Sequence, residues 1–188
     1  MKGHTIKAIA VAILLLGMVS VRTARAQDRG HSTPEERARA VKIAHSLEDD
    51  PLAKGAKDQR AWVIQWITRI PDITVTVCGE YFGKLPDTPH GYSTDITWQM
   101  TISSAAFMIE HPAKAKDEQA VALAGLQGAL KAYQAILTQE PSARWPHVDN
   151  LVKMRDQGKL DDYVSDTRRK CSQDEEDPDP DTMRAQAD

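Results

Sequence analysis

The sequence predicts an all-α protein: a single-domain, irregular bundle of about six helices around a central one at roughly 117–139, tied by one disulfide. Three observations predict it. Apolar residues recur at spacings of three and four in segment after segment, the period of a helix face. Only one short β-branched run, Ile73 to Val77, argues for a strand, and a lone strand has no partner for its backbone groups. Two cysteines, Cys78 and Cys171, remain in a chain that opens with a secretory pattern, and such a pair favours a bridge.

The N-terminus carries that pattern in order. Lys2, His4 and Lys7 form a basic region, Ala8 to Val21 an apolar one, and Ala24-Arg25-Ala26 an A-x-A cleavage site before Gln27. The apolar run is short of the roughly 20 residues a membrane anchor needs, and Arg22 closes it. The expected product is an exported chain, periplasmic or extracellular, with residues 1–26 removed, 27–171 as the helical domain and 172–188 as an acidic disordered tail. Removing residues 1–26 leaves 20 basic against 27 acidic residues, a net charge of −7, of which −6 lies beyond Cys171. The nearly neutral body lacks the basic footprint of a nucleic-acid binder, and no membrane association is expected once the signal is gone.

Thr33-Pro34-Glu35-Glu36 combines an N-cap hydroxyl, a proline at N1 and a glutamate at N3, which starts a helix carrying Ala40, Val41, Ala44 and Leu47. A second helix is expected from Lys57 to Ile70, with Trp62, Val63, Trp66, Ile67 and Ile70 on one face. Pro71-Asp72 then leads into Ile73 to Leu85. There the spacing of Val77 or Cys78, then Tyr81, Phe82 and Leu85, favours a helix over the strand that the β-branched run suggests. Ser93 or Thr94 caps a helix to Glu110 that is apolar nearly all round.

Asp117 to Gln139 is the centre. Leu123, Leu126, Leu130, Tyr133 and Leu137 form one stripe, and Ala124, Gly125, Gly128, Ala129 and Ala132 form a small-residue face. Each mid-helix glycine costs about 1 kcal/mol against alanine. A neighbouring backbone in close approach is the expected compensation, and Ser103-Ser104-Ala105-Ala106 offers one. His147 to Asp156 and Leu160 to Cys171 complete the set, separated by Gly158 as a C′ residue.

Signature motifs for acyl transfer, phosphate binding, dinucleotide binding, zinc and haem are absent, so no catalytic residue, metal site or cofactor is expected. Asp177, Asp179 and Asp181 imitate a calcium loop, but Thr182 replaces the required glycine and two prolines intrude; the stretch reads as a solvated tail. Trp62, Trp66, Trp98 and Tyr133 are candidates for an aromatic pocket, and Glu110 with His111 for a weak polar site. The functional expectation is a non-catalytic protein- or peptide-interaction or envelope-stress module, the alternative a small hydrolase-like enzyme with a Glu/His site that uses Glu110, His111 or His147 with a distant acid.

Overall fold

The computed structural model describes residues 30–76, 78–83 and 91–176, so the signal pattern, Val77, residues 84–90 and the calcium-loop imitation lie outside the described residues. Six α-helices follow in order: α1 Pro34–Asp49, α2 Ala56–Ile67, α3 Ser93–Glu110, α4 Glu118–Gln139, α5 Pro146–Asp156 and α6 Leu160–Glu176. Three short 3₁₀ turns punctuate them, and no strand occurs among the described residues.

The local signals act as expected at the start of α1. The Thr33 hydroxyl accepts from the Glu36 amide at 3.2 Å, while the Glu36 carboxylate accepts from the Thr33 amide at 3.1 Å. Gly158 adopts φ +70°, the left-handed conformation that closes α5. α2 starts from Gly55, also left-handed at φ +86°, and ends at Ile67; Ile70 lies beyond the helix yet is buried.

Two elements differ from expectation. Among the described residues of the stretch expected as a helix, 73–76 and 78–83, no α-helix forms, while Val77 and Leu85 lie outside the described residues. Ile73 to Thr76 belong to no regular element, Cys78 is extended at φ −126° and ψ 126°, and Gly79–Phe82 is a single 3₁₀ turn. The β-branched run restricts χ1 against a preceding helical turn, and Gly79 interrupts propagation. The apolar spacing that suggested a helix is met instead by the 3₁₀ turn, which buries Tyr81 and Phe82. The second difference is the end of α6, which continues past Cys171 to Glu176, so residues 172–176 are helical rather than part of a disordered tail.

The interior divides into two apolar clusters. One gathers α1 and α2 with Ile73 and the residues Ile102, Ala105 and Ala106 of α3. The other gathers α4, α5 and α6 with Tyr81, Phe82, Ile96 and Met100. α4 packs against α1, α3, α5 and α6, and Leu126, Ala129, Leu130, Tyr133 and Ile136 on it are wholly enclosed. By length and hydropathy alone, α4 is the one helix among the described residues fit to cross a bilayer; here it is the inner rod of the bundle.

The small-residue face does what its cost implied. A Cβ at Gly128 would overlap Ser103 Oγ and stand 2.5 Å from Ser103 Cβ and 2.7 Å from Glu48 Oε1. A Cβ at Gly125 would overlap Ser104 Oγ and stand 2.7 Å from the Met100 carbonyl oxygen. Each glycine hydrogen leaves the room that the serine side chains of α3 occupy. Cys78 and Cys171 are joined, their Cα atoms 6.2 Å apart, within the range a disulfide spans. Such a bond is compatible with an oxidising compartment.

The start of α1 is held to the chain after α2 through Asp72. Its carboxylate accepts from the Ser32 amide at 2.9 Å, the Ser32 hydroxyl at 2.7 Å and the Arg37 guanidinium at 2.5 Å. Burial disfavours the charge, but the Ser32 and Arg37 donors outweigh it and hold the carboxyl well below the usual carboxylate range. A lowered native pKa gives stability that is complete above about pH 4 and is lost as pH falls through the native value. Asp72→Asn should therefore cost about 1–3 kcal/mol at neutral pH. It should also flatten the acid limb of the stability–pH curve in urea titrations. An acid limb superimposable on the wild-type one would remove Asp72 from this role.

Candidate functional site

The predicted aromatic candidates are divided among three places. Trp62 and Trp66 stack on each other, centroids 5.8 Å apart and planes 9° from parallel, within the α1–α2–α3 cluster. The Arg39 guanidinium lies 3.9 Å above the Trp62 ring. Tyr133 sits in the other cluster, its hydroxyl accepting from the Trp145 amide at 2.9 Å and donating to Asp149 at 2.8 Å. Burial pushes its pKa up to about 12, so the phenol keeps its proton. Tyr133 thereby anchors the start of α5, where Trp145 supplies no capping side chain.

Trp98 stands apart. It is 40% exposed, the one large apolar side chain among the described residues left open to solvent. It lines a groove of about 360 Å³ between α2 and α3, together with Ala61, Ile64, Gln65, Lys57 and Asp95. Arg60 fixes the floor: 7% exposed, it donates to Asp95 at 3.0 Å and to the Pro51 carbonyl at 3.3 Å. A buried, paired guanidinium bridging α2 and α3 holds the groove's two walls at a set spacing.

Glu110 and His111 take separate partners. His111 lays its ring against Phe107, centroids 4.6 Å apart. Glu110 meets His45 instead, Oε1 to Nε2 at 3.0 Å, and the other His45 nitrogen faces Glu48 at 3.2 Å. The Glu110 hydrogen bond raises the His45 pKa against the opposing effect of burial, with Glu48 adding to the rise. Glu48, on α1 and largely buried, also accepts from the Ser103 hydroxyl at 2.7 Å, and Lys131 lies 3.7 Å away.

This cluster joins serine, carboxylate and imidazole in an order that does not activate the serine. Ser103 donates to the carboxylate, the imidazole lies on the far oxygen, and Ser103 is only 5% exposed. A nucleophile needs its base within direct reach and an open face. The cluster instead satisfies a buried carboxylate where α1, α3 and α4 meet. His147 has Nε2 at 3.4 Å from the Tyr163 hydroxyl. Among the described residues no group of three or more His, Cys, Asp or Glu is placed to hold a metal ion.

A second cavity, of about 310 Å³, opens beside the disulfide. Thr74, Thr76 and Cys78 border it, with Val121 and Ala122 from α4, Arg168 from α6, and Tyr81. As a site residue, Tyr81 is nearly silent in the sequence. The one available signal was a tyrosine beside Phe82 in a chain short of phenylalanine, since a phenol in place of a phenyl ring asks where its hydroxyl goes.

Fold and cavities together define a small disulfide-bonded helical bundle with an aromatic-lipped groove. Comparisons with protein-family models, with curated proteins and with solved structures find no match for this chain.

Proposed function

We propose that the protein is an exported, non-catalytic interaction module that docks a partner protein through the α2–α3 groove, with Trp98 as its anchor. The observation that carries this reading is the solitary exposed tryptophan on the wall of an apolar groove. Tryptophan is enriched among the few residues that dominate binding energy, and such residues sit in apolar pockets ringed by polar groups. Ala61 and Ile64 supply the apolar wall; Lys57 and Gln65 supply the polar rim. The partner surface that fits offers an apolar side chain to the groove and an acidic group within reach of Lys57. Export rests on the signal pattern of residues 1–26, and the Cys78–Cys171 bond is the chemistry an oxidising compartment permits.

The test compares wild-type and Trp98→Ala protein, both oxidised, as bait for extracts of the exporting compartment. A specifically retained partner should bind the variant with a loss of about 2 kcal/mol, roughly thirtyfold in Kd, while the melting temperature stays put. Equal retention by both proteins would rule out the groove as the docking site.

A further inference from the structure

We infer that the cleft beside the disulfide receives an extended segment of a partner polypeptide, which pairs its backbone with residues 73–76. This site is separate from the Trp98 groove and shares no lining residue with it.

Burial alternates along the segment: Ile73 is 5% exposed and Val75 half-buried, while Thr74 and Thr76 face outward. That is the two-residue period of an extended chain lying with one face on a core. Yet Ile73, Thr74, Val75 and Thr76 make no backbone hydrogen bond among the described residues. A stretch outside any regular element, with alternate side chains on the core and no backbone hydrogen bond within the protein among the described residues, is a ready template for another strand.

The cleft adds a second, independent observation. Tyr81 lines it and is only 3% exposed, yet its hydroxyl has no hydrogen-bond partner among the described residues. Burial pushes that phenol up to about 12, so at neutral pH it keeps its proton and can donate it to an occupant of the cleft. Arg168, the nearest cation, is already paired with Glu118, which leaves the cleft without a strong net charge.

These features select an occupant. A helix has no free backbone groups along its length and would leave residues 73–76 unpaired. An extended peptide supplies amides and carbonyls at matching intervals, and one of its carbonyls can accept from Tyr81. Val121, Ala122 and Met108 form apolar wall, so the segment that fits is uncharged and apolar at alternate positions.

The experiment pans a displayed library of random dodecapeptides against the oxidised full chain, then synthesises the strongest binder. Amides of Thr74 to Thr76 should exchange at least tenfold more slowly with the peptide bound. N-methylating the peptide's amides at one set of alternate positions should weaken binding at least tenfold; methylating the other set should change it less than twofold. Tyr81→Phe, which removes only the unpartnered hydroxyl and so keeps the packing, should weaken binding several-fold, and Trp98→Ala should not. Peptides that respond to Trp98→Ala but leave the Thr74–Thr76 amides unprotected would overturn this inference while supporting the groove. Binding indifferent to N-methylation at either set, or a library that yields no binder, would overturn it outright.

Discussion

Breaking the Cys78–Cys171 bond should lower stability by about 4–5 kcal/mol, the loop-closure entropy returned to an unfolded chain freed of a long cross-link. The loop spans 93 residues. At about 2–4 °C per kcal/mol for a chain of this size, the melting temperature should fall by about 8–20 °C. Calorimetry of the oxidised protein beside the Cys78→Ser/Cys171→Ser variant measures this directly. A shift below about 3 °C would mean that the unfolded chain is already compact, or that the bond adds native strain which cancels its gain. The location of the bond makes a second readout available. It joins the irregular stretch before the 3₁₀ turn to α6, so the α6 amides around Thr167 and Arg168 should lose exchange protection before those of α4 do.

Gly128→Ala should destabilise the fold even though alanine is the better helix former. The intrinsic gain is about 1 kcal/mol. Against it stands a methyl group placed 2.5 Å from Ser103 Cβ and 2.7 Å from Glu48 Oε1, which forces α3 and α4 apart and breaks into the bonds that satisfy Glu48. Overpacking costs about 1–3 kcal/mol and an unsatisfied buried polar group about 1–3 more, so the net loss expected is about 1–5 kcal/mol. Urea unfolding of Gly128→Ala against Gln127→Ala, its exposed neighbour on the same helix, isolates the close approach from propensity. A Gly128→Ala protein at least as stable as wild type would show that the helices have room to spare.

How much of this was legible in the sequence follows from where each signal lives. The α3–α4 crossing could be read because two glycines in mid-helix are locally unfavourable, and a local penalty points to a tertiary compensation. The capping box of α1 could be read because all its partners lie within four residues of one another. The stretch 73–78 could not. Its β-branched residues and its apolar spacing give opposite answers, and the outcome, residues 73–76 outside any regular element with Ile73 on the core, leaves the first signal without a sheet among the described residues and meets the second through the 3₁₀ turn.

Pairings between helices were equally hidden. A stripe containing Trp62 and Trp66 foretells burial but not which neighbour covers it, and nothing in the spacing distinguishes Trp98, left open, from Tyr133, fully enclosed. Glu110 was singled out with the residue beside it in sequence. Its actual partner, His45, is 65 positions away on α1. The Glu48–Ser103 bond spans 55 positions and joins two helices whose mutual rotation no periodicity specifies.

The crossing of α3 and α4 also has a use beyond this one molecule. Where a glycine on one helix seats a serine side chain of the next, substitution on both is confined to small residues, whatever drift affects the rest of the chain. A distant cousin with the same architecture should keep two tiny residues three apart on its longest rod and an adjacent small pair on the rod before it, as Gly125, Gly128, Ser103 and Ser104 do here. That four-position pattern, filtered by a cysteine on either side of the rod pair, is a key for finding such cousins when overall resemblance has faded.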